Sequence, residues 1–202
     1  SSEMVDKNFE AVQGGLFDMG KTGGLSGSTF SHVTLPDYIP NPVFEEPIRR
    51  LLGLKQADLE GILSGAKDIN GATGGVALKN MLSKLDIDEE IDKHKGLALK
   101  LRGAGRDNSI KILGYLQSLK KQGIHPSKLM ISKVPILPPI FRPISKMGDV
   151  MLQADINELY RDVIQTSDHV KSISKELGPK GAAEERLNLY NAVKSAYGLG
   201  AP

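Results

Sequence analysis

The chain contains no cysteine and no tryptophan in 202 residues, and aromatic side chains make up 5% of it. Without cysteine there is no disulfide framework and no thiolate zinc site, which fits a reducing compartment. So few aromatics imply a modest core. No apolar run approaches the roughly 20 residues that a membrane helix needs, and no signal-peptide pattern opens the chain, so a soluble, intracellular protein with no membrane partner is expected. An excess of one charge is also missing. The 26 basic and 24 acidic residues leave a net charge of +2, too little to announce a nucleic-acid partner by itself. Four histidines and scattered serines offer no nucleophile with an identifiable base, so no catalytic residue is assigned. What the chain has in plenty is glycine, 22 residues, and proline, 11, which suits one or two modules with much irregular backbone.

The most informative stretch is 134–164, VPILPPIFRPISKMGDVMLQADINELYRDVI. Pro135, Pro138, Pro139 and Pro143 fix φ and remove four backbone donors, so an extended strut is expected rather than a helix or a central strand. Ile136, Leu137, Ile140 and Phe141 make it apolar and candidates for burial, with Arg142 its one charge. Ser145 to Gln153 reads as a protruding loop with Gly148 and Asp149 at its apex. A helix then begins near Asp155. Its apolar positions Ile156, Leu159, Val163, Thr166, Val170, Ile173 and Leu177 alternate in steps of three and four, the seam of a coiled coil. Gly178 to Gly181 break it, and a second helix from Ala182 to about Tyr197 returns with Leu187, Leu189, Tyr190, Val193 and Ala196. An antiparallel helical hairpin with a solvated tip is expected.

Upstream, residues 1–27 are polar and glycine-rich and read as an irregular segment. Gly15 to Thr22, GLFDMGKT, matches the phosphate-loop pattern G-x-x-x-x-G-K-[ST], but no buried strand precedes it and a glycine-rich run follows. The expectation is a flexible loop that does not bind nucleotide through Lys21. Thr29 to Leu35 alternates as a short strand that Pro36, Pro40 and Pro42 should end. His32 there is expected to be structural rather than a metal ligand. Short helices follow at 47–52, 55–63, 76–85 and 88–101, the last with the acidic run Asp86 to Asp92 at its positive end. The run is read as a solvated helix start rather than a metal site. A helix over 108–122 presents Ile110, Leu113, Leu116 and Leu119, with Arg102, Arg106, Lys111, Lys120 and Lys121 forming a solvated basic side. His125 is expected to be exposed. A strand over 127–134 leads into the strut. The fold class is mainly α with a few short strands, α+β.

Leu137-Pro138-Pro139 with Arg142-Pro143, a short loop, then Asp155-Ile156-Asn157-Glu158-Leu159-Tyr160-Arg161 with Val163-Ile164, resembles a family pattern close to LPPxxRP, loop, DLNDLYRxVI. That pattern belongs to the largest, beta-prime, subunit of bacterial-type RNA polymerase, where it runs through the lid loop into the clamp coiled coil. Ser31 to Leu35 is similar to its GHIEL-type strand, Ile48 to Leu63 to its RIGLLLDMPLRDIERVL-type helix pair, and Lys128 to Pro139 to its EWMILTVLPVLPP-type strand. Beyond the irregular segment at 1–27, the resemblance implies a clamp core at 28–143, a lid at 144–154 and a coiled-coil hairpin at 155–202.

It further implies that Lys146, Met147, Val150 and Met151 act at the lid against template DNA and nascent RNA. Thr166 and His169, where the family carries arginines, and Glu185, where it has a glutamate, would face a sigma-like initiation factor. The two absent guanidiniums point to a divergent polymerase, viral, with its own factor, working in the cytoplasm, of the host if viral. The implied parent is a nucleotidyltransferase partnered by the remaining polymerase subunits, with Mg²⁺ on an NADFDGD-type loop that this sequence does not contain. This piece alone is expected to be inert and to need no cofactor. The alternative is a free-standing helical adaptor that binds a partner through its coiled coil.

Overall fold

In the computed structural model, residues 4–200 are described. Residues 1–3 of the expected N-terminal segment and 201–202 of the expected hairpin lie outside the described residues. The architecture is mainly α, with two small two-stranded sheets among the described residues. By its contacts the chain forms two compact units, one from the described parts of 1–36 and 132–202, the other from Asp37–Ile131.

The second unit is helical. Strand β1 (Ser31–Pro40) runs into it, and a 3-10 turn at Pro42–Phe44 leads to α2 (Glu45–Leu52). Glu45 and Glu46 open α2 and Arg49 and Arg50 close it, which complements the helix dipole. Helix α3 (Gln56–Leu63) buries Leu59, Ile62 and Leu63 and packs on α4 (Gly74–Ser83), which buries Ala77, Leu78 and Leu82. Helix α5 (Ile87–Lys100) starts on Asp86, whose carboxylate accepts from the amides of Asp88 and Glu89. It packs on α6 (Gly103–Gln122), with Ile91 and His94 buried on one helix and Ser109, Ile112 and Leu116 on the other. The acidic run is thus a helix start, with Asp88 paired to Lys120 at 2.5 Å.

Several expectations for this unit are corrected. Helix α6 begins five residues earlier than its apolar pattern predicts, at Gly103. Its buried row is Ser109, Ile112 and Leu116, while Ile110 is exposed, because spacings of three and four define more than one row and the packing against α5 selects between them. Proline at 36 does not end β1. The strand continues to Pro40, which a two-stranded sheet permits because each of its strands keeps an unpaired edge. His125 is half-buried, with Nδ1 2.9 Å from the Ser127 hydroxyl and Nε2 3.0 Å from the Leu85 carbonyl. At Gly75 a Cβ would fall 1.5 Å from the Tyr38 carbonyl oxygen, so only glycine lets the start of α4 approach β1 this closely.

The other unit contains the strut and both hairpins. Residues 4–27 are largely irregular, but part of them is packed. Met4, Val5, Leu16 and Phe17 are buried, Val5 bridges Ala11, and a four-residue helix α1 (Met19–Thr22) starts on Asp18. The amides of Gly14 and Gly20 donate to the Asp18 carboxylate and hold its pKa below the usual value. Strand β2 (Met130–Ile136) pairs with β1 and includes Pro135, so the proline segment starts as a strand. It continues as a 3-10 turn at Pro139–Phe141 rather than as a uniformly extended strut. Strands β3 (Ile144–Met147) and β4 (Val150–Gln153) make a hairpin, and helices α7 (Ile156–Leu177) and α8 (Ala183–Ala196) pack against each other across a 3-10 turn at Pro179–Ala182.

Candidate nucleic-acid and partner interface

The sequence predicts a buried apolar strut that carries one charge, and the structure buries the charge while it exposes much of the apolar surface. Ile140 and Phe141 are 62% and 65% exposed, while Arg142 is fully buried. Only Ile136 of the four apolar candidates is buried completely. The reason lies in what surrounds position 142. The Arg142 Nε donates to the Leu137 carbonyl at 2.7 Å, Nη2 to the Thr22 carbonyl at 3.4 Å and Nη1 to the Asn157 Oδ1 at 3.5 Å. Its guanidinium lies 5.0 Å from the centroid of the Phe17 ring. Three acceptors and an aromatic face solvate the planar cation, as a single ammonium point charge could not be solvated. Burial still pushes its pKa down from the ordinary value.

Asn157 answers this contact by donating from Nδ2 to the Arg142 carbonyl at 3.0 Å. The start of α7 is therefore bonded to the end of the strut, and the Ala154 amide donates to the Pro143 carbonyl at 3.1 Å between them. What lies between 143 and 154 is held at its base. There the expected loop is a regular β-hairpin, with Ile144 opposite Gln153, Ser145 opposite Leu152, Lys146 opposite Met151 and Met147 opposite Val150. Gly148 has φ of +64°, which a two-residue turn of the II′ kind needs at its first position. The apex expected at Gly148 and Asp149 stands.

Opposite residues in an antiparallel pair share a face, so the four lid candidates divide. Lys146 and Met151 stand on one face with Ile144 and Gln153. Met147 and Val150 stand on the other with Leu152, and these three are 66%, 58% and 46% exposed. Leu152 is missing from the sequence-based candidates. Period-two alternation from Val150 would have found it, had the segment been read as a strand rather than a loop.

Along α7 the expected seam holds in its middle and fails at its ends. Val163 and Val170 are buried, Ile156, Leu159, Thr166 and Ile173 are half-buried, and Leu177 is 68% exposed. A second row, Asn157, Tyr160, Ile164 and Ser167, is buried instead, because α7 also packs on the strut: the Leu137 amide donates to the Tyr160 hydroxyl at 3.4 Å. From α8, Leu189, Tyr190 and Val193 are buried. The Thr166 hydroxyl donates back to the Asp162 carbonyl at 2.6 Å, and His169, three residues on, is exposed. Glu185 sits in the first turn of α8, half-buried. His169 precedes the end of α7 by eight residues, roughly 12 Å of helix at 1.5 Å per residue, so the structure brings Thr166 and His169 together and puts Glu185 nearer the tip.

No family model matches the chain. It is, however, 32% identical over 105 residues to the DNA-directed RNA polymerase subunit beta' of Bacillus mycoides (strain KBAB4), covering 52% of this chain and 9% of that one. It is 33% identical over 103 residues to the subunit of the same name from Bacillus cytotoxicus, again over 9% of that protein. The Bacillus thuringiensis (strain Al Hakam) subunit gives 32% over 103 residues. This chain is related to beta-prime. The match spans about a tenth of the length of these beta-prime relatives. Of the residues that carry the beta-prime-like pattern, the fold buries Pro138, Pro139, Arg142, Asn157, Tyr160, Val163 and Ile164, and Arg142 is the one charged side chain among them.

Among the described residues no group of three or more histidine, aspartate and glutamate side chains could hold a metal ion. The described residues therefore offer no set that fits the Mg²⁺ of a polymerase. His32 is exposed and belongs to no such group among the described residues. No described helix is long and apolar enough to cross a membrane.

Proposed function

We propose that this chain is a portion of the largest subunit of a multisubunit DNA-directed RNA polymerase, with residues 28–143 in the clamp core. The observation that carries the reading is the reciprocal Arg142 and Asn157 anchor, made by residues of the beta-prime-like pattern, which holds a β-hairpin with an exposed apolar face. In this reading residues 144–154 are the lid. Met147, Val150 and Leu152 offer a wedge against bases at the upstream end of the RNA–DNA hybrid, and Lys146 offers a cation to phosphate. Met151, on the Lys146 face, supports the hairpin from behind.

The α7 and α8 hairpin, within 155–202, docks a sigma-like initiation factor, with Thr166, His169 and Glu185 on its contact surface. Thr166 and His169 are not guanidiniums, so the factor is one suited to a divergent, viral polymerase, acting in the host cytoplasm. The parent transfers nucleotides with Mg²⁺ held by residues outside this sequence, and this piece alone is inert.

Isolation of the native polypeptide that contains this sequence, with peptide mapping beyond Pro202, tests the reading. The expected result is a longer chain with an aspartate-rich loop, or a split chain that co-purifies with the catalytic partner and further polymerase subunits. A native product that ends at Pro202 and purifies without polymerase subunits would overturn it in favour of an adaptor. In the intact polymerase, Glu185→Ala should weaken the initiation factor, and serine at 147, 150 and 152 should lengthen the RNA–DNA hybrid.

A further inference from the structure

Within the same unit a cleft of about 590 Å³ opens between α1, the start of β1 and α7. Lys21, Phe30, His32, Ser167, Asp168 and Lys171 are among the residues that line it. Its charge is unbalanced. Lys21 lies 3.9 Å and Lys171 3.7 Å from the two oxygens of Asp168, so two ammonium groups share one carboxylate. Lys21 uses one of its three donors on the Gly14 carbonyl at 2.7 Å, and both lysines keep donors for an oxyanion.

Its polar lining is also unsatisfied. Ser167 is 1% exposed, and its hydroxyl has no hydrogen-bond partner; the hydroxyl of Ser31, also on the lining, has none either. Buried hydroxyls without a protein partner are uncommon and mark the wall of this cleft as polar. At the mouth stand two rings, Phe30, 67% exposed, and His32, also exposed.

We propose that this cleft binds a nucleotide unit, its phosphate between Lys21 and Lys171 and its base against Phe30 and His32. Cations spaced from an exposed aromatic are the pairing by which single-stranded nucleic acid and free nucleotides are held without sequence readout. The site is not a phosphate loop of the hydrolase kind. The Thr22 hydroxyl, which would have to reach a metal ion, is buried and donates to the Leu16 carbonyl, so binding needs no divalent ion and leads to no hydrolysis. The proposal stands on these contacts whether or not the chain belongs to a polymerase.

The test is binding of the full chain, without divalent ions and at low salt, to inorganic phosphate, to a nucleoside triphosphate and to a fluorescent ten-residue oligouridine. The expected result is micromolar binding of at least one nucleotide probe, weakened tenfold or more by Lys171→Ala and by Phe30→Ala. Lys175→Ala, one turn further along α7, should change it less than twofold. Lys21 is less suitable for the test, because it also ties the N-terminal loop to Gly14. A triphosphate that binds as well as the oligomer identifies a free nucleotide, and binding of the oligomer alone identifies a single strand. If no nucleotide probe binds, or if Lys171→Ala and Lys175→Ala weaken binding equally, the proposal fails.

Discussion

The two units of this chain solve the same problem with different materials. Between Asp37 and Ile131 the core is apolar and made by helices close in sequence, and its charged pairs, such as Lys120 with Asp88 and Lys67 with Asp58, stand in solvent. In the other unit a guanidinium is fully buried. Arg142, Asn157, Thr22 and Ser167 are all buried there, and the bond from Arg142 to Thr22 spans 120 positions of sequence. An apolar core tolerates small adjustments, because dispersion contacts have little directionality. A buried cation with fixed acceptors does not, and removing it strands each of them.

The largest effect should therefore come from Arg142→Ala. It leaves the Leu137 carbonyl, the Thr22 carbonyl and the Asn157 side chain without their donor, and a loss of about 3–5 kcal/mol is expected. Urea unfolding followed by circular dichroism measures it. Arg142→Met should recover only part of this loss, and a variant as stable as the parent would show that the contrast between the units is wrong.

Next in size is Gly75→Ala, in the helical unit. The new methyl group must displace the Tyr38 carbonyl, and overpacking of this kind costs about 1–3 kcal/mol. The same unfolding experiment reports it, with Gly96→Ala as a control where a Cβ meets nothing.

His94 tests whether the apolar unit holds a titratable weakness. It is 8% exposed, its Nδ1 is buried without a partner, and Glu90 lies 3.5 Å from Nε2. Desolvation lowers its pKa from the ordinary value of 6.5, against the opposing pull of Glu90. The folded state then binds fewer protons than the unfolded state, so stability is complete above about pH 6.5 and falls as pH drops below it towards the lowered folded value. Urea midpoints should decline between pH 7.5 and 5.5, and His94→Gln should flatten that slope. An unchanged slope would place the pH response elsewhere.

The smallest expected effect belongs to Lys120→Met, which removes an exposed ion pair on α6. Solvent screening makes such pairs weak, and the urea midpoint should stay within experimental error. A clear loss would mean that surface charge holds α5 to α6, which would blur the distinction between the units.

The contrast also explains how much of each unit could be read in advance. Helices α2, α3 and α5 were legible within a residue or two, because capping residues and apolar spacing are local signals. Glu45 and Glu46 open α2, Asp86 caps α5, and Leu59, Ile62 and Leu63 mark the buried side of α3. The apex at Gly148 and Asp149 was legible for the same reason, since a turn with positive φ announces itself through glycine. The interface candidates were only half legible. Lys146, Met147, Val150 and Met151 form one cluster as a loop and two opposite faces as a hairpin, and Leu152 enters with the second face.

By itself, the sequence determined α2, α3 and α5, the hairpin apex and the composite pattern that ties the chain to beta-prime, because each depends on residues near one another along the backbone. Only the tertiary structure decided that Arg142 is buried while Ile140 and Phe141 face solvent, that α7 presents two buried rows, and that Lys21, Ser167 and Lys171 line one cleft. Those outcomes depend on partners brought together from remote positions. A side chain's environment is set by what packs against it, and that is not written in its neighbours.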